Sequence, residues 1–154
     1  MLALALSACQ SFGGVRPRYG ALPESELIIA TDEPATLVRR LAAAAESLGL
    51  KVEHIAPDEG YLEMRWFDLS ARRSVAPPFD RLGSTVKLRF FADMIQGKPR
   101  LLAECVQRVA WDPSVPPREL ERMVPEGHPG RVLLDSLVAP FVADTTNRPP
   151  PMRP

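Results

Sequence analysis

Few side chains in this chain could carry chemistry, and they are scattered. There are two cysteines and two histidines. Cys9 closes a short apolar run, and Cys105 lies among Ala103, Val106 and Val109. A nucleophilic thiolate needs a neighbouring base or an accessible, electropositive setting. Nothing near Cys105 supplies one, so it reads as a core thiol. His54 falls in a strand-like segment. His128 falls in a Gly-Pro loop, where a helix cap is its plausible role, and no HExxH or CxxC spacing accompanies either. Asp58 and Glu59 could pass as paired carboxylates, but Pro57-Asp58-Glu59-Gly60 is built of turn-favouring residues. No GxSxG, phosphate-binding glycine loop or basic stripe occurs. The expectation is a protein with no catalytic site, no metal and no cofactor. Lys plus Arg equals Asp plus Glu at 19 each, so net charge gives no argument for nucleic acid.

The elements that would position these residues are clearer. Leu37, Leu41, Ala44, Ala45 and Leu48 recur at helical spacing and predict an amphipathic helix over 34–48. Asp32 and Glu33 put negative charge at its start, Pro34 is tolerated in its first turn, and Gly49 can end it. Residues 26–31 read as a first strand. Residues 51–56 and 61–68 read as two strands around the 57–60 turn. In the second of them Leu62, Met64 and Trp66 alternate with Glu63, Arg65 and Phe67. A long loop, 69–82, precedes the clearest strand, 84–94, in which Val86, Leu88, Phe90 and Ala92 face one way and Lys87, Arg89 and Asp93 the other. Gln96-Gly97-Lys98-Pro99 turns the chain back into 100–111. There Gln107 shares a face with Leu101, Ala103, Cys105 and Val109, as a bulge or a covered second face would allow. Short helices are predicted over 117–124 and 129–139. The order strand, helix, four strands, helix predicts an α+β two-layer sandwich, with helices packed on one face of a mostly antiparallel sheet. The 17 prolines cluster outside the periodic segments. They mark stiff loops and a polar, proline-rich tail over 143–154, expected to be extended or disordered. The folded domain is expected over 26–142.

Met1 to Ala8 is too short to span a membrane, which takes about 20 residues. It fits the last part of a signal peptide's apolar region. Leu6-Ser7-Ala8-Cys9 resembles the lipobox of bacterial lipoproteins, although no Lys or Arg precedes the apolar run. The resemblance implies that Cys9 is acylated, palmitate among the chains, and becomes the first residue of the mature protein. It implies a membrane partnership through that lipid, in the cell envelope. In that family an aspartate after the cysteine favours inner-membrane retention. Gln10 stands there instead, which points to the periplasmic face of the outer membrane. Residues 9–25 have many breakers and no period, and read as a tether. Fourteen of them, 10–23, could reach at most about 45–50 Å.

Ile28-Ile29-Ala30, the helix, Leu48-Gly49-Leu50-Lys51-Val52-Glu53 and Asp58-Glu59-Gly60-Tyr61-Leu62-Glu63-Met64-Arg65-Trp66 resemble the helix-grip module of BamC-type (NlpB) lipoproteins of the β-barrel assembly machinery. The resemblance covers about half of the chain. That family often has two such modules, where this chain has room for one. It implies an envelope lipoprotein that binds a partner protein, a scaffold module of an assembly or transport machine. The alternative is a carrier of a lipid or other amphiphile, similar in layout to lipopolysaccharide-assembly lipoproteins of the LptE type. The two differ in whether an apolar cavity lies between helix and sheet, and Ala42-Ala43-Ala44-Ala45 favours close packing instead.

The candidate docking surface is the outer face of the hairpins. Tyr61, Phe67 and Phe91 share parity with Glu63, Arg65, Lys87 and Arg89, and aromatics beside arginines are typical of interface centres. Tyr61, Arg65, Phe67, Arg89 and Phe91 are therefore the expected partner-binding residues. Coverage by the C-terminal helix or by a sheet end is the alternative.

Overall fold

The computed structural model describes residues 16–79 and 81–143. Among them eight strands form one antiparallel sheet. They are β1 (Glu26–Ile29), β2 (Val52–Ala56), β3 (Tyr61–Met64), β4 (Phe67–Asp68), β5 (Arg73–Ser74), β6 (Thr85–Ile95), β7 (Lys98–Arg108) and β8 (Glu121–Met123). The main path runs β1-β7-β6-β3-β2, while β4 and β5 extend it beside β6 and β8 pairs with the end of β7. Two helices, α1 (Pro34–Ser47) and α2 (Pro129–Val138), lie on one face. This is the α+β sandwich that the element order predicts.

The helix-side core follows from the alternation. Val86, Leu88, Phe90 and Ala92 of β6 and Leu101, Ala103 and Cys105 of β7 point into it. They meet Leu37, Leu41 and Ala45 of α1 and Leu134 and Leu137 of α2, all essentially without exposed surface. Gly49 ends α1 at φ +84, and the N–H of Leu50 donates back to the Ala45 carbonyl, a left-handed helix stop that glycine adopts without steric cost. His128 does cap α2: its Nδ1 accepts from the Gly130 N–H at 3.0 Å, and its Nε2 lies 2.8 Å from the Gly83 carbonyl. Gln96 and Gly97, both at positive φ, close the β6–β7 hairpin. Ten residue pairs then run in unbroken register from Val86–Gln107 to Ile95–Lys98. The imperfect alternation of β7 is thus no bulge; its second face is covered.

Three expectations need correction. The stretch 117–124 is not a helix: a 3-10 turn over Pro117–Leu120 leads into β8, whose residues Glu121, Arg122 and Met123 pair with Arg108, Gln107 and Val106. The alternation of 61–68 breaks between Met64 and Phe67, where β3 ends and β4 begins. Phe67 therefore joins the helix-side core, opposite Val86, and Trp66 turns to the other face. Residues 16–25 are not a free tether. They lie across the sheet face opposite the helices, where Tyr19 and Ala21 pack against Tyr61 and Phe91. The folded domain thus begins at least ten residues earlier than 26.

Candidate functional site

The sheet face away from the helices is charged yet buried. Strand alternation delivers Glu63 from β3, Lys87 and Arg89 from β6, Glu104 from β7 and Glu121 from β8 to this face, all nearly without exposed surface. Isolated ions cannot be buried this way, because each loses several kcal/mol of hydration unless paired and hydrogen-bonded. Here the pairing is thorough. Arg89 donates two bonds to Glu121, at 2.6 and 3.0 Å, and a third to Glu63 at 3.1 Å. Lys87 bridges Glu63 and Glu53 at 2.6 and 2.5 Å. Arg118, on the 3-10 turn, reaches Glu104 with both terminal nitrogens at 2.7 and 2.8 Å. Two-pronged contacts of this kind are the strongest that a guanidinium makes.

The N-terminal segment closes the layer. The Leu22 N–H donates to Glu104 at 2.5 Å. The Tyr19 ring lies under the guanidinium groups of Arg118 and Arg89, at 4.8 and 5.6 Å. Its hydroxyl is 3.4 Å from that of Tyr61, which donates to Glu63 at 2.7 Å. At its outer end Arg16 lies 5.4 Å over the Phe91 ring and donates to the Glu59 carbonyl.

Titration follows from these contacts. Burial works to raise the Glu63 carboxyl, but the charges of Lys87 and Arg89 and the hydrogen bonds from Lys87 and Tyr61 outweigh it and draw it down to about 2. Burial, the Tyr19 hydroxyl and the Glu63 charge raise Tyr61, which stays a neutral donor. Burial pushes the Cys105 thiol up to about 12. That is the inert core thiol expected from its neighbours, and the opposite of an activated nucleophile.

The expected docking patch is accordingly corrected. Tyr61, Arg89 and Phe91 are buried beneath residues 16–25, and Phe67 is buried on the helix side. Arg65 alone of the five is exposed. The cover is neither the C-terminal helix nor a sheet end but the chain's own N-terminal segment. Cys9 lies outside the described residues. No group of His, Cys, Asp and Glu among the described residues is placed to hold a metal ion. Asp58 and Glu59 sit exposed in a 3-10 turn over Pro57–Glu59.

One cluster on this face was not read from the sequence. Arg108 ends β7 with 7% of its surface exposed. Its guanidinium faces three rings, at 4.9 Å from Trp111, 5.4 Å from Trp66 and 5.9 Å from Phe79. Trp66 and Phe79 themselves stack at a tilt, 5.1 Å apart. Trp111 remains 49% exposed. Arg108 has no carboxylate among the described residues, and its buried Nε has no hydrogen-bond partner. Glu121 is its cross-strand neighbour, but both Glu121 oxygens are held by Arg89. A usable signal was present in the sequence: both tryptophans of the chain belong to this cluster, and Trp111 follows Arg108 by three residues.

Clefts border the cluster. One of about 280 Å³ is lined by Lys51, Glu53, Arg65, Trp66 and residues 74–77. Another of about 430 Å³ is lined by Asp68, Arg73, Phe79 and Arg81 among others. Both are surface features with mixed polar walls, and neither lies between helix and sheet. No protein-family model matches this chain, and no curated protein matches it either.

Proposed function

We propose that this domain is a lipid-anchored envelope module that docks another protein, and that it docks through the sheet end carrying Arg108, Trp111, Phe79 and Arg65. The observation that carries the reading is Trp111. A large aromatic ring is left half exposed beside an arginine, at a position where the core does not need it, and Trp and Arg are among the residue types enriched where binding energy concentrates. The membrane half of the reading rests on Leu6-Ser7-Ala8-Cys9 and on the BamC-type resemblance. It places Cys9 under acylation and the domain at the periplasmic face of the outer membrane, as a scaffold part of an assembly or transport machine. Seating of residues 16–25 supports a short suspension: six residues, 10–15, separate Cys9 from Arg16, and the seven Cα steps between them reach at most about 25 Å. The amphiphile-carrier reading finds less support, because Leu37, Leu41 and Ala45 press directly on the sheet.

A photo-crosslinking residue at position 111, with a second at position 132 as control, tests docking in the source cells. Val132 is 64% exposed on α2, on the opposite side of the molecule. A discrete protein adduct from position 111 and none from 132 is expected. Absence of an adduct, or equal adducts from both, would sink the docking reading. Intact mass of the mature protein tests the anchor separately: unmodified Cys9 would remove it.

A further inference from the structure

We infer that Arg108 receives a carboxylate from an acidic segment of the partner polypeptide. This rests on the docking reading above and names the chemistry of its occupant. The inference starts from what the charged face leaves over. Lys87, Arg89 and Arg118 are satisfied by Glu53, Glu63, Glu104 and Glu121, and those four carboxylates are engaged in return. Arg108 is the fourth cation of the face and stands outside that network. Its Nε is buried and has no hydrogen-bond partner. A buried N–H without an acceptor costs free energy, of which contact with aromatic faces recovers only part. A carboxylate accepting two parallel bonds from the guanidinium fork would complete it.

The surroundings suit an acidic peptide. Lys51, Arg65, Arg73 and Arg81 line the bordering clefts and make no ion pair among the described residues, against Glu53 and Asp68 of opposite sign. The half-exposed Trp111 offers an apolar surface to side chains flanking the acid. Position argues against an anionic lipid headgroup. Arg16, where the chain from the anchor joins the domain, sits at Phe91. Arg108 lies at the level of Thr85, six residues further along β6, or about 20 Å. A headgroup of the anchoring bilayer would meet the Arg16 end first.

Both tryptophans lie at the site, so intrinsic emission of the full chain in detergent reads it directly. The probes are a ten-residue peptide alternating Glu and Ala, its Gln–Ala counterpart, and phosphatidylglycerol vesicles. A saturable emission change is expected with the Glu peptide and none with the Gln peptide. Arg108→Gln should weaken the Glu peptide at least tenfold and Arg108→Lys should recover part of it. Trp111→Ala, read through Trp66, should weaken it with an unchanged melting temperature, which keeps the test sound if Arg108→Gln melts early. No response to the Glu peptide, an equal response to the Gln peptide, or a response to vesicles alone each overturns the inference. A partner adduct at position 111 alongside a silent Glu peptide would leave docking standing and remove only the carboxylate.

Discussion

At the scale of single residues, burial decides more than residue type. Glu63, drawn down to about 2 from 4.5, contributes stability that is complete above about pH 4.5 and is lost as pH falls toward 2, because the unfolded chain binds the proton first. Acid denaturation should therefore steepen in that window for the native chain and flatten in Glu63→Gln. The same variant should lose about 3–5 kcal/mol at pH 7, since Lys87 and Arg89 would be left partly uncompensated. Denaturant melts at a series of pH values check both statements. Cys105 should not react with a disulfide reagent at pH 8 in the folded protein and should react fully in denaturant, as a thiol raised to about 12 requires. The charges of Lys87, Arg89 and Glu63 were legible as one face of a strand. Their burial was not, because the covering groups come from Tyr19, Leu22 and Arg118, in segments without period.

At the scale of elements, α1 was legible because one stripe of Leu and Ala fixes its face. Leu41→Ala should cost about 2–5 kcal/mol. Arg40→Ala should cost under about 1 kcal/mol, since Arg40 is exposed and pairs with Asp32 at the surface. The docking patch misread the β3–β4 junction: strict alternation carried through Arg65 and Trp66 places Phe67 outside, whereas the chain skips a position there. Phe67→Ser and Phe91→Ser should each lower stability by about 3–5 kcal/mol, because both rings are buried. Turn geometry gives a sharper contrast. A Cβ on Gly60 would stand 1.9 Å from the Ala92 carbonyl oxygen, at φ +65, whereas Gly49, at φ +84, faces open space. Gly49→Ala should cost about 1–2 kcal/mol. Gly60→Ala should cost clearly more, because backbone must move; thermal melts of the two rank them.

At the scale of the whole molecule, the sheet has no spare face. One side is closed by α1 and α2, the other by an ionic layer under residues 16–25 and Arg118. A chain beginning at residue 26 should lose on the order of 2–4 kcal/mol, since the Leu22–Glu104 hydrogen bond and the Tyr19 cover go with it. Layer order and sheet hand-over were readable from periodicity; the second cover was not, because Gly20, Pro17 and Pro23 read as breakers whether or not the segment is seated. That seat also sets a timetable. Leu22 waits for Glu104 across 82 residues, and Gly20 for Arg118 across 98, while the β6–β7 hairpin can close from neighbours alone. Long loops close late. If, as proposed, the chain is exported amino end first, its fastening strip comes out at the beginning and the ground it fastens to near the end. In between, Tyr61 and Phe91 would stand without the cover that Tyr19 and Ala21 give them, an apolar pair open to whatever lies nearby.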